Sequence, residues 1–248
     1  MDTLLHINLS QQTALQRKMD VIANNMANMS TTAYKGEQVL FENFVDQFRS
    51  EEDRDLNEVN YLLDFGTIRS LEDGPVQVTQ NPLDVALQGD GFLTVETDAG
   101  ETLYTRRGHL MLNNENFLVL QGSGERVQDV NGNDITIDPQ QDGSVTIAED
   151  GTISGDQGQI AVMNLVRFED ERALERRGNA LFDAADEAPV PVEDLQLVQG
   201  AVEGSNVNPI KEVTEMIGVM RAYQSAQRAA DRIDDLRERA IERLATVR

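Results

Sequence analysis

From Pro209 the chain runs through 39 further residues without another proline, and Asn208 stands directly before it. Proline suits the first position of a helix and asparagine caps one. The segment therefore predicts one unbroken helix, about 60 Å long at ~1.5 Å per residue. Its apolar residues Val213, Met216, Met220, Tyr223, Ala230, Ile233, Ala240 and Leu244 form a stripe that drifts in register. Isolated helices are marginal in water, so this stripe has to be covered by something. The opposite end of the chain has the same need. Residues 2–29 predict a helix on which Leu15, Met19, Ile22, Met26 and Met29 recur at spacings of four and three, a narrow heptad-like seam. Helix propensity collapses at Ser30-Thr31-Thr32.

The middle of the chain is of another kind. Val39, Leu40, Phe41, Phe44, Val45 and Phe48 suggest a short helical or extended apolar segment, and Ser50–Asp55 is a charge run that fits a linker. Over 75–200 apolar positions alternate, as in Val76-Gln-Val78, Phe92-Leu-Thr-Val95 and Val145-Thr-Ile147. Asp73-Gly74, Asp90-Gly91, Asn131-Gly132, Asp142-Gly143 and Asp150-Gly151 punctuate them. Such pairs between short alternating runs indicate antiparallel hairpins. The expected class is α+β: N- and C-terminal helices pairing as a coiled-coil-like domain, with a central antiparallel all-β domain. The expected boundaries are 1–35 for the first helix and its turn, 36–74 for a connecting segment, 75–200 for the β domain and 201–248 for the last helix.

Charge separates the same regions. The net charge is −23. Residues 50–209 hold nine basic and 32 acidic residues and account for all of it, whereas 1–49 sum to −1 and 210–248 to +1. The near-neutral ends can pack against copies of themselves while the acidic middle stays solvated. A nucleic-acid partner is not expected, because a phosphate backbone demands a basic face. There is no cysteine, which removes disulfides and thiolate chemistry. No apolar run reaches the ~18–20 residues of a membrane span, so no direct membrane insertion is expected. The first residues lack the basic and apolar regions of a cleaved signal peptide.

Residues able to do chemistry are sparse. His6 and His109 share no metal-ligand spacing, and no nucleophile motif is present. Asp129-Val-Asn131-Gly132-Asn133-Asp134 resembles a calcium-loop fragment, but Gln140 stands where the twelfth-position Glu belongs, so a hairpin turn is expected. No catalytic residue, metal or cofactor is assigned.

Three segments resemble the flagellar rod and hook family of axial proteins. They are Asp20-Val-Ile-Ala-Asn-Asn-Met-Ala-Asn-Met-Ser-Thr-Thr-Ala-Tyr-Lys35; Asn81-Pro-Leu-Asp-Val-Ala-Leu-Gln-Gly-Asp-Gly-Phe92 with Tyr104-Thr-Arg-Arg-Gly108; and Glu203-Gly-Ser-Asn-Val207 with Glu215-Met-Ile217 and Arg221-Ala-Tyr223. Their order and spacing fit nearly the whole chain. Two positions depart from the family pattern. Ala33 stands where the family usually has Gly, which predicts a less sharply bent turn, and Asn114-Glu-Asn116 replaces an Asp-x-Gly turn. The resemblance implies a non-enzymatic structural subunit of the basal-body rod, with the length disfavouring the much larger hook protein. It implies export through the flagellar type III apparatus with an uncleaved N-terminus, and assembly with copies of itself and with other rod proteins. The surfaces expected to meet neighbours are Leu15, Met19, Ile22 and Met26, the amides of Asn24, Asn25 and Asn28, and Val213, Met216, Ile217, Met220 and Tyr223.

Overall fold

The computed structural model describes residues 2–48, 57–178, 180–184, 187–192 and 195–245. The Ser50–Asp55 charge run and the side chain of His6 lie outside the described residues. The chain divides into two units. One gathers residues 1–27, 37–69 and 208–248; the other holds 28–36 and 70–207. The architecture is mixed α+β, with two helices and antiparallel strands in several sheets.

The first unit contains helices α1 (Asp2–Ala27) and α2 (Pro209–Ala245) and strands β1 (Glu37–Phe48) and β2 (Asn57–Arg69). Helix α2 starts where the sequence predicts. The Asn208 side-chain oxygen accepts from the backbone N–H of Ile210 and Lys211 at 3.1 and 3.2 Å, and Pro209 is the first helical residue. The two helices lie against each other, and Lys18 bonds Glu215 across them at 2.7 Å. The apolar 39–48 segment is extended, not helical. It forms strand β1, paired antiparallel with β2 from Glu37↔Arg69 to Phe48↔Asn57. The register slips once, beside Leu40 and Gly66, where Gly66 takes a φ of 124°. A positive φ at such a bulge is easy only for glycine.

The second unit is all β apart from the turn at its start. Strand β3 (Val76–Val78) pairs with Ala201–Glu203, and β4 (Val85–Gln88) pairs with Gln196–Gln199. Strands β5 (Phe92–Glu96) and β6 (Thr102–Thr105) form the centre of the largest sheet. Outward from β6 come Leu181–Asp183 and Glu175–Arg176; outward from β5 come Arg126–Val127, Leu118–Leu120 and Leu110–Leu112. Successive side chains of a strand point to opposite faces, and here both faces are covered. Leu93, Val95 and Leu103 join an aliphatic core with Leu118, Leu120, Val127, Ile135 and Ile153. Phe92 and Tyr104 join an aromatic cluster with Phe168 and Phe182, whose rings meet edge-on at 4.8–5.7 Å.

Candidate functional site

The second unit begins with the turn that follows α1. Thr31 N–H donates to the Asn28 carbonyl at 3.1 Å, and Thr31 Oγ1 donates to Asn28 Oδ1 at 3.2 Å. Ala33 then adopts a φ of 55° while fully buried, and its N–H donates to the Glu203 carbonyl at 2.8 Å. The turn therefore keeps the left-handed conformation that glycine would take, contrary to the expected gentler bend. A left-handed residue with a Cβ costs about 1–2 kcal/mol, and the buried methyl and the Glu203 contact hold it there. Asn116 shows the same substitution at φ 65°, where asparagine tolerates that region well.

Just past Ala33, Tyr34 is buried beneath the Arg176 guanidinium, which lies 4.9 Å from the ring centre. Lys35 then enters a buried ion network. Its Nζ bonds Glu203 Oε1 at 2.8 Å, Asp73 Oδ1 at 3.2 Å and the Glu72 carbonyl at 2.7 Å. Glu203 is 1% exposed. It accepts from Arg106 Nε at 3.0 Å and from the Gly74 N–H at 2.9 Å. Arg106 also bonds Asp73 at 2.8 Å and donates to the carbonyls of Gly89 and Gly91 at 3.0 and 3.2 Å. The buried Lys35, Arg106 and Glu203 are thus all paired, as buried charges must be, with the solvent-exposed Asp73 as the fourth member. Gly74 is required here because a Cβ would strike the Gly204 carbonyl. Nearby, burial pushes the Glu171 carboxyl above its usual range; Arg106 opposes that shift and Asp90 adds to it.

This network is where the three recognisable segments of the sequence meet. Lys35 comes from the first, Arg106 from the second and Glu203 from the third. Sequence reasoning missed it as a network, since each residue sits far from the others along the chain. The available signal was that each stands inside a quoted motif while the surrounding charge is acidic. The network holds structure together and presents no open carboxylate pair to a substrate. The other chemical candidates are also structural. His109 Nδ1 lies 2.7 Å from Oδ1 of the fully buried Asp84. The 129–134 segment is a turn in which Asn131 and Asn133 N–H both donate to Asp129 Oδ1 at 2.8 Å, holding that carboxyl below its usual range. Among the described residues no cluster of His, Cys, Asp or Glu is arranged to hold a metal ion, and no helix is long and apolar enough to cross a membrane.

The residues expected at interfaces fall into three groups in the isolated chain. Ile22 and Asn25 are each 3% exposed. The Asn25 amide is spent inside its own unit: it donates to the Glu37 carbonyl at 2.8 Å and accepts from the Glu37 N–H at 3.0 Å, docking the start of β1 on α1. Leu15, Met19, Met26, Asn28, Met216 and Tyr223 are half-buried. Asn24 is exposed, as are Val213, Ile217 and Met220, at 43, 47 and 46% for the last three, and Ile210 beside them reaches 80%. Ile210 was missed because it sits at the capped end of α2, one turn before the apparent stripe.

Known sequence families match the same three segments. The family described as "Flagella basal body rod protein" matches residues 7–35, "Flagellar hook protein FlgE/F/G D1 domain" matches 86–155, and "Flagellar basal body rod FlgEFG protein C-terminal" matches 198–243. The chain belongs to the flagellar basal-body rod protein family, a family of structural proteins, not enzymes. Within it the sequence is most like the rod protein FlgF. It is 36% identical to the "Flagellar basal-body rod protein FlgF" of Caulobacter vibrioides, over 100% of both chains, and 33% identical to that of Mesorhizobium japonicum, over 91% of this chain and 90% of the relative. It is 31% identical to the "Flagellar basal-body rod protein FlgG" of Caulobacter vibrioides, over 92% of this chain and 94% of the relative.

Proposed function

We propose that this protein polymerises through its terminal helices, with copies of itself and with other rod proteins, into the hollow drive shaft of the basal body. It occupies the proximal rod in the periplasm, and it arrives through the flagellar type III export apparatus with its N-terminus uncleaved. The observation that carries this reading is the apolar stripe Ile210, Val213, Ile217 and Met220, exposed along one side of α2. Large apolar side chains at spacings of three and four on an exposed helix face mark a surface that meets another helix. Each is worth about 1.5–3 kcal/mol when fully buried. The half-buried Leu15, Met19, Met26 and Met216 add to the contacts with neighbours, and Tyr223 lies on the inward side of α2, with the two helices paired as in a coiled coil. Ile22 and Asn25 serve by holding the helical unit in shape.

The test is a Val213→Asp, Ile217→Asp double variant in a flagellated host that lacks its own version. The expected result is loss of motility and absence of the protein from purified basal bodies. The thermal unfolding of the β unit should match that of the parent. Normal swimming by that variant would overturn the proposal.

A further inference from the structure

Beyond the face that lies on α1, helix α2 carries two more ordered faces. Its inward side chains Val219, Tyr223, Ala226, Ala230 and Ile233 recur at four and three and are buried or half-buried. At ~100° per residue, the exposed stripe Ile210, Val213, Ile217 and Met220 lies to one side of that face. Beyond Met220 the same line becomes acidic, with Asp231, Asp235, Glu238 and Glu242 all exposed at spacings of four, three and four. On the other side lie the small residues Gly218, Ala222, Ser225 and Ala229, also exposed, bordered by Arg221, Arg228, Arg232 and Arg239. Gly218 costs a helix about 1 kcal/mol relative to Ala. Nothing among the described residues explains it, because a Cβ there would meet none of their atoms within 4 Å.

The two faces complement each other. A displacement of about eight residues along the axis, roughly 12 Å, sets Ile210 against Gly218, Ile217 against Ser225 and Asp231 against Arg239. Val213 and Met220 then come within one residue of Ala222 and Ala229. One parallel register therefore places large side chains over small ones and acid beside base. We infer that the occupant of the small-residue face is the bulky stripe of a second copy of this chain, with the two α2 helices parallel and staggered by that step. The contact is heterologous: it joins unlike faces, leaves one of each free, and so propagates as an open helical array. This rests on the polymerisation proposed above and adds which surfaces meet, in which direction and at what offset.

Because the chain has no cysteine, single Ile217→Cys and Ser225→Cys variants are clean probes. Both are produced together in a host lacking its own version, and purified basal bodies are exposed to a mild oxidant. The mixture should give disulfide-linked dimers several-fold above either variant alone. Incorporation without that excess, or efficient dimers from Ile217→Cys alone, would overturn the stagger while leaving the rod assignment standing. Absence of the cysteine-free parent from basal bodies would instead strike the rod assignment itself. A second measurement uses charge. Asp231→Arg should cut swimming several-fold, and Arg239→Asp added in the same chain should restore it; no loss in the single variant, or no recovery in the double, would count against the pairing.

Discussion

The two units handle their apolar residues in opposite ways. In the β unit the central strands of the largest sheet are covered on both faces, though single apolar residues elsewhere, such as Val78, are exposed, and Lys35, Arg106 and Glu203 are buried together with only Asp73 of their cluster open to solvent. In the helical unit, α2 turns Ile210, Val213, Ile217 and Met220 to solvent. Charge divides the same way. The β unit has eight Lys and Arg against 26 Asp and Glu, −18 in all, which leaves −5 on the helical unit. A self-sufficient, strongly charged body resists association, whereas a near-neutral one with uncovered apolar stripes invites it. On the polymerisation proposed above, stability and assembly fall to different parts of one chain, and the two can be perturbed separately.

The largest effect on this division comes from Glu203. Glu203→Ala leaves Lys35 and Arg106 buried without one of the two carboxylates they share, and breaking such a buried cluster costs about 3–5 kcal/mol. Denaturant unfolding followed in the β unit should show that loss; a change under ~1 kcal/mol would mean that the network contributes little net stability.

Ala33 gives an intermediate test at the same turn. Ala33→Val forces a β-branched residue into φ 55° at a buried site and should cost about 1–3 kcal/mol. Ala33→Gly relieves the left-handed strain but gives up a buried methyl and frees the unfolded chain, so it should stay within about 1 kcal/mol of the parent. A large loss in the glycine variant would show that the methyl, not the backbone angle, dominates.

The smallest effect is the pH dependence at Glu171. Its folded pKa is raised, mainly by burial, so the folded state holds a proton more tightly than the unfolded one. The parent therefore loses stability as pH rises from the ordinary glutamate value through the folded one. Glu171→Gln should unfold at a slightly higher temperature than the parent at pH 7, with the advantage shrinking as pH falls below the usual carboxylate range. An advantage that grows towards acid would reverse the assignment.

Elements marked by local chemistry were legible in the sequence. Asn208 and Pro209 announce α2, and Asn131-Gly132 and Asp150-Gly151 announce turns of the β unit, whereas Asp73-Gly74 lies in a stretch without a turn and Asp90-Gly91 joins strands that do not pair with each other. The β1–β2 hairpin was not legible as such. Phe41, Phe44, Val45 and Phe48 stand at i, i+3, i+4 and i+7, which is the helical template, and only pairing with residues 57–69 makes the segment a strand. Asn25 was expected to bond a neighbouring subunit because an amide in a recognisable motif suggests an outside partner; within the chain it bonds Glu37, twelve residues later, which no local pattern announces. The ion network depends on residues brought together by the whole sheet, which no periodicity encodes.

The β unit also governs how a force applied along the chain reaches its sheet. The chain passes between the two units at 27–28, 36–37, 69–70 and 207–208. On the β side, three of these passages are tied side by side: Gly36 N–H donates to Asn206 Oδ1 at 2.7 Å, Ser70 N–H donates to the Gly36 carbonyl at 2.8 Å, and Asn206 N–H donates to the Tyr34 carbonyl at 3.2 Å. Three covalent strands made fast at one point share tension as the strands of a rope share it at a splice. A pull along any of them is divided among the others before it reaches the sheet.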